Sequence, residues 1–265
     1  MKNILQDIIT QVLQIFDVMI MTERFKIPLE LGNYVISNSL IKPFKLYLIL
    51  KSRCSGQIKL DKADFKQLAT ILEYKSIKSI RNNLTILIKL NWVGYNKKSG
   101  LYFIRGFDYI RKKHQLIRRT AIFIEMSQIV YLQELLIAGL ITKLIKNRIR
   151  DIIKNVDCKG RRSNQALRNI PDFFPISASY LAKILNISIN KAFRIKRSAA
   201  ALKYIVIKPN FISTKFAIGS KLYLDKLEYP QANKVRVKKG FLVIQECDLV
   251  KANIPLAVRK KLESY

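Results

Sequence analysis

Acidic residues are scarce in this chain. Of 265 residues only 18 are Asp or Glu, against 49 Lys or Arg, which leaves a formal net charge of +31. An excess of that size strains a compact state by self-repulsion unless a polyanion neutralises it. The candidate polyanions are DNA, RNA and an anionic membrane. A compositional taste for Lys, Ile and Asn explains Lys in place of Arg, but not the shortage of Asp and Glu. Histidine is scarcer still. The single one, His114, follows Arg111-Lys112-Lys113 with no evident partner, as expected of a surface position on a basic helix rather than of a general base. The three cysteines, Cys54, Cys158 and Cys247, lie far apart in no ligand spacing. They predict neither a disulfide framework nor a zinc site and fit a reducing cytoplasm. There is no P-loop, no glycine-rich nucleotide loop, no nucleophile elbow and no carboxylate cluster able to hold Mg²⁺. Asp61 and Asp64 read as helix-start residues. The expectation is therefore a binding protein rather than an enzyme, with no cofactor and no metal.

Long apolar runs are also few. The first twenty residues are broken by Asp7, Asp17 and three glutamines and offer no small-residue cleavage site, which argues against a signal peptide. Ile129–Ile145 contains Gln133, Glu134 and Lys143 and reads as falling short of a membrane span. No membrane partner is expected. With 49% of residues apolar, the chain is too hydrophobic for a disordered basic tail. The charge must then sit on the outside of folded domains, one large or two small at this length.

Ile4, Leu5, Ile8, Ile9, Val12, Leu13 and Phe16 recur at helical spacing, so residues 1–40 comprise an amphipathic first helix and a lead-in. That helix fits either the core of its own domain or a homodimer. Residues 41–110 form a first unit. It has a helix around Phe44, Tyr47, Leu48 and Leu50, and a second, capped by Asp61, with Phe65, Leu68, Ala69 and Leu72 inward. A turn at Tyr74-Lys75-Ser76 leads to a third helix with Ile80, Leu84 and Leu87 inward. Trp92-Val93 and Leu101–Ile104 make a hairpin about Asn96–Gly100. This is the winged helix-turn-helix order. Residues 111–157 read as a mostly helical connector in which Gly139 marks a kink or division, and 158–175 as an exposed basic linker. The pattern then returns over 176–265. Ala178–Leu185 has Tyr180, Leu181 and Ile184 inward, and Ile189–Lys203 has Ala192, Ile195, Ala199 and Leu202 inward. A strand follows from Tyr204, with returning strands at Lys234–Val237 and Phe241–Ile244 and an insertion over 211–233.

The stretch SYLAKILNISINKAFRIKRSAAALKYI, from Ser179 to Ile205, resembles the helix-turn-helix of winged-helix DNA-binding proteins, including regulators of phages and mobile elements. Leu181, Ala182, Leu185 and Ser188 match the first helix and turn, and Leu202 and Ile205 the segment after the recognition helix. The resemblance covers about thirty residues here and, more weakly, about sixty-five in the first unit. It implies a mainly α protein with small β-hairpin wings, in which two winged-helix units are joined by a long helical segment.

With the core face assigned, Asn190, Lys191, Arg194 and Arg197 lie on the opposite side, flanked by Lys196. Arg and Lys reach guanine edges in a major groove and Asn reads adenine. Phe193 fits either a thymine methyl or the core. In the first unit Lys78, Ser79, Arg81, Asn82 and Lys89 face outward by the same logic, for DNA or for a protein. Lys97 and Lys98 at the wing tip and Lys238 and Lys239 at the later turn suit phosphates. Arg161, Arg162 and Arg168 would add affinity without sequence preference. Aromatic residues do not alternate with basic ones as an RNA-recognition sheet requires, so double-stranded DNA is favoured over RNA. The expected function is sequence-specific duplex binding by a cytoplasmic, nucleoid-associated transcription regulator of a phage or mobile element. Alternatives are a plasmid-type replication initiator and a protein that coats or compacts nucleic acid by charge alone.

Overall fold

Pro28 ends one element and begins the next. It closes the edge strand β1 (Arg24–Pro28) and is the N-cap of α1 (Leu29–Ser37), two places where a missing backbone N–H costs nothing. The computed structural model describes residues 24–54, 56–157, 170–217, 235–238, 241–245 and 247–259. The amphipathic helix expected near the N-terminus and the arginines of the basic linker lie outside them. The chain divides into Met1–Lys143 with Ile254–Tyr265, and Leu144–Asn253. Among the described residues the fold is mixed, with eight helices and four three-stranded antiparallel sheets.

In the first unit α2 (Ile41–Arg53) buries every residue from Leu46 to Leu50, so that more than one full turn of it lies in the core. β2 (Gln57–Lys59) follows. Asp61 then starts α3 (Lys62–Ile71) with a reciprocal cap: its carboxylate accepts from the Asp64 N–H at 2.8 Å, and that of Asp64 from the Asp61 N–H at 2.9 Å. α4 (Ile77–Lys89) buries Ile80, Leu84 and Leu87. The hairpin of β3 (Val93–Asn96) and β4 (Leu101–Ile104) turns on Gly100, whose φ of +68° suits glycine. The sheet order is β2–β4–β3, with Lys59 and Asn96 both opposite Leu101.

After α5 (Phe107–Lys113) the expected helical connector begins instead as a strand, β5 (Thr120–Glu125). Ile122 and Ile124 are buried and Phe123 is exposed, the two-residue period of a strand. Its partners are β1 and the late strand β12 (Ala257–Val258), both remote in sequence. A 3-10 turn (Met126–Tyr131) then leads into α6 (Leu132–Asp157), which runs unbroken through Gly139. That glycine serves packing rather than a kink, because a Cβ there would lie 2.6 Å from Ile122 Cγ2. Met126–Lys154 is in fact long and apolar enough to cross a membrane, contrary to expectation. However, 61% of its most apolar stretch is buried inside the protein, as in a core helix.

His114 is not a partnerless surface residue. It accepts a 2.9 Å hydrogen bond at Nε2 from the indole N–H of fully buried Trp92, and its ring lies 4.6 Å from that of Tyr34. Burial, and then the charge of Lys113, push its pKa below the ordinary 6.5. Fully buried Arg111 donates to Asp108 Oδ1 at 3.1 Å and to the carbonyls of Ile117 and Arg118. Arg259, one residue beyond β12, meets the same Asp108 oxygen at 3.0 Å and donates to the Lys26 carbonyl at 2.6 Å. Burial would raise the Asp108 carboxyl, but the hydrogen bonds and charges of Arg259 and Arg111 outweigh it and hold the group below its usual range.

In the second unit the residues of α6 from Leu144 onward are followed by β6 (Phe174–Pro175), at the end of the stretch read as an exposed linker; Phe174 is buried. α7 (Ala178–Leu185), α8 (Ile189–Ala201) and β7 (Ile205–Lys208) come next. The strand that returns to β7 is β11 (Leu249–Ala252), with Leu249 opposite Lys208 and Ala252 opposite Ile205. It is not either of the two expected strands. Those correspond to β9 (Val235–Lys238) and β10 (Phe241–Gln245), which pair with each other and with β8 (Phe211–Ala217) in a separate sheet of order β8–β10–β9. The main sheet of this unit has the order β6–β11–β7. In both units, then, the strand ahead of the helix pair and the strand after it flank the last strand.

Candidate nucleic-acid interface

Two side-chain caps set the helix pair of the second unit. The Ser177 hydroxyl accepts from the Tyr180 N–H at 3.0 Å at the start of α7, and the Ser188 hydroxyl from the Lys191 N–H at 3.2 Å at the start of α8. Asn186 ends α7 in the left-handed region, φ +49°, and turns the chain into α8. The buried face is Leu181, Ala182 and Leu185 on α7 and Ala192, Ile195 and Ala199 on α8. Tyr180 and Ile184, expected inward, are exposed. The buried stripe is shifted by one position, to Leu181, Ala182 and Leu185.

The outward face of α8 carries exposed Asn190, Arg194 and Arg197 and half-buried Lys191. Phe193 is not a core residue; it is 44% exposed, with the Arg197 guanidinium 5.2 Å above its ring. Ile189 is 57% exposed on the same side. From Ser177 to Tyr204 there is no acidic residue. The face thus offers amide and guanidinium donors beside apolar surface, with nothing that repels an anion.

Lys196 does not share that face. It is 1% exposed, and its ammonium donates to the Ile176 carbonyl at 2.8 Å and pairs with Asp248 Oδ2 at 3.1 Å. The helical period turns it to the core between Ile195 and Ala199, where it ties α8 to the residues just before α7 and just before β11. Nothing in the sequence links Lys196 to a carboxylate 52 positions away.

In the first unit Lys78, Arg81 and Asn82 are exposed on α4, together with Lys89. Ser79 is half-buried, with its hydroxyl 3.3 Å from that of Ser76. The Arg81 guanidinium lies 5.6 Å from the Phe65 ring, which holds it along the helix pair. Lys97 and Lys98 are exposed at the hairpin tip, where the Asn96 side-chain oxygen accepts from the Lys98 N–H at 2.9 Å and fixes the turn. Behind the tip the rings of Tyr95 and Tyr102 pack 4.7 Å apart. Burial, reinforced by the neighbouring phenol, pushes the Tyr102 hydroxyl up. Lys238 ends β9, while Lys239, Arg161 and Arg162 lie outside the described residues. Of the candidates, Asn190, Lys191, Arg194 and Arg197 share the outward face of α8, and Lys78, Arg81, Asn82 and Lys89 are exposed on α4, each set within its own unit. Among the described residues no group of three His, Cys, Asp or Glu is placed to hold a metal ion. No known family, characterised protein or solved structure matches the chain.

Proposed function

We propose that this protein is a sequence-specific double-stranded DNA-binding protein built from two winged-helix units, acting as a transcription regulator of a phage or mobile element. The observation that carries the reading is the outward face of α8: Asn190, Lys191, Arg194 and Arg197 beside two exposed apolar side chains, on a helix pair without a single carboxylate. A helix of this kind fits the major groove, where arginine pairs with guanine and asparagine with adenine. The winged-helix reading is supported in the first unit by the order α2, β2, α3, α4 and the β3–β4 hairpin with its lysine tip. In the second unit the support is the antiparallel pair of β7 and β11 that follows the helix pair in sequence, as the strands of a wing do. α4, with Lys78, Arg81 and Asn82, is assigned the corresponding role in the first unit, and Lys97 and Lys98 are assigned phosphate contacts.

The test is selection on random duplex DNA at low and moderate salt. A motif that survives at moderate salt, and is lost in the Arg194→Ala/Arg197→Ala double variant, is the expected result. If no motif emerges and affinity falls by roughly 10³ or more as salt rises through the physiological range, charge alone does the binding and the regulator reading fails. The shared strand order of the two units also fits a second reading, a plasmid-type replication initiator with paired winged-helix domains. Selected sites that recur in tandem, and thymines that become permanganate-reactive on binding, would decide for it.

A further inference from the structure

We infer that Ile189 and Phe193 read thymine methyl groups, so that the site recognised by α8 contains A·T pairs next to the guanines contacted by its arginines. The inference rests on the duplex-DNA reading above and names what that face selects. Residues 189, 193 and 197 fall on one line of the helix, with 190 and 194 on the adjacent line. Eight residues of helix span about 12 Å, the length of three to four base steps. Ile189 and Phe193 are 57% and 44% exposed, whereas Ala192 and Ala199 in the same turns are fully buried. The core accounts for neither large side chain. The Arg197 guanidinium, 5.2 Å from the Phe193 ring, restricts both groups and leaves an apolar edge beside a cationic one.

In a major groove the one apolar feature of a base-pair edge is the C5-methyl of thymine, and its partner adenine offers the donor and acceptor that asparagine takes in pairs. Asn190 lies beside Ile189 in sequence and is exposed. An aliphatic side chain, an amide and an aromatic ring on neighbouring lines are therefore matched to an A·T edge, and Arg194 and Arg197 to guanine. A partner protein surface would also accept Ile189 and Phe193. The density of cations around them and the absence of carboxylates favour the nucleic acid.

The experiment uses the full chain and the duplex obtained by selection. Each thymine is replaced in turn by deoxyuridine, which removes only the methyl group. At one or two thymines of the α8 half-site affinity should fall roughly fourfold per methyl, the value of one buried carbon group. Phe193→Ala or Ile189→Ala should then bind the thymine and uracil duplexes equally, with Phe193→Leu keeping part of the difference. Because both side chains are exposed, these variants should fold, which circular dichroism checks. A site preference that is intact yet indifferent to every thymine-to-uracil change would overturn the inference and leave the DNA reading standing. No site preference at all would remove both. If the Ala variants leave DNA binding unchanged but alter the sedimentation of the protein, the face belongs to a second copy and the inference is wrong.

Discussion

At the residue scale, two side chains read from sequence as surface features, Lys196 and His114, are held by partners that no local pattern announces, the first in the core and the second half-buried. Lys196 sits between Arg194 and Arg197, yet the helical turn sends it to the core, where Asp248 and the Ile176 carbonyl receive it. Removing one member of a buried pair leaves the other charge without compensation, typically at a cost of about 3 kcal/mol or more. Asp248→Ala should therefore lower the denaturant midpoint of the second unit strongly. Lys196→Met, which keeps the buried stem and leaves a partly exposed carboxylate, should cost less. Since Lys196 cannot reach a base from this position, Lys196→Met should also leave the relative affinity for different duplex sites unchanged, whereas Arg194→Ala should not. A change of preference in Lys196→Met would return it to the reading face. His114 is the second case. Its folded pKa lies below the ordinary 6.5, so the unfolded chain takes up the proton more readily. Stability is then complete above 6.5 and is lost as pH falls below that value. The protonated ring also can no longer accept from Trp92. Unfolding midpoints measured from pH 7 down to about 5 should fall more steeply for the native chain than for His114→Gln, whose amide oxygen can still accept. Parallel curves would contradict this.

At the element scale, what the sequence allows to be read depends on how local the cause is. α3 follows its cap and apolar spacing and α4 its apolar spacing, while α7, begun by Ser177, has the expected span but not the expected buried stripe. The hairpin of the first unit was legible from Trp92-Val93, the Asn96–Gly100 turn and Leu101–Ile104. β5 was not, because Ile117, Ala121 and Ile124 also fit a helical stripe, and the choice is made by β1 and β12 from distant parts of the chain. β2, β6 and β12 are two or three residues long and carry no period. β11 is hidden in the sequence because the more apolar Phe241–Gln245 is the stronger candidate for the return strand. Register with β7 falls instead to Leu249–Ala252, and only the paired sheet reveals it. The outward face of α8 was legible except for Lys196 and Ile189. On α7 Tyr180, Leu181 and Ile184 match helical spacing as well as Leu181, Ala182 and Leu185 do, and only the packed helix shows Tyr180 and Ile184 exposed. In an exposed helix Gly→Ala stabilises by up to about 1 kcal/mol. At Gly139 the added methyl would meet Ile122 Cγ2 at 2.6 Å and Leu29 Cδ1 at 3.2 Å. Overpacking of that kind costs about 1–3 kcal/mol, so the sign reverses. Gly139→Ala should lower the melting temperature, and a rise would show that Ile122 repacks freely.

At the scale of the whole molecule, the formal charge of +31 sets the terms. Described carboxylates held in ion pairs include Asp108 with Arg111 and Arg259, Asp248 with Lys196, Glu125 with Arg24, Glu30 with Arg118, Asp64 with Arg53 and Asp172 with Lys251. Few carboxylates are left to offset the lysines and arginines outside these pairs, and that excess repels itself across the fold. In the free protein the repulsion is relieved by added salt, because the screening length falls from about 30 Å at 0.01 M to about 8 Å at 0.15 M. The melting temperature of the protein alone should therefore rise with sodium chloride over that range. A bound polyanion relieves the same repulsion more effectively, and it stabilises the folded state insofar as it binds that state more tightly than the unfolded chain. In the presence of excess duplex the melting temperature should be highest at low salt and should fall as salt displaces the DNA, so the two curves converge at high salt. Differential scanning fluorimetry with and without a duplex of fixed length gives both. If the free protein is indifferent to salt, its charge is already compensated within the fold. The composition would then say nothing about a polyanionic partner, and the DNA reading would rest on α8 alone.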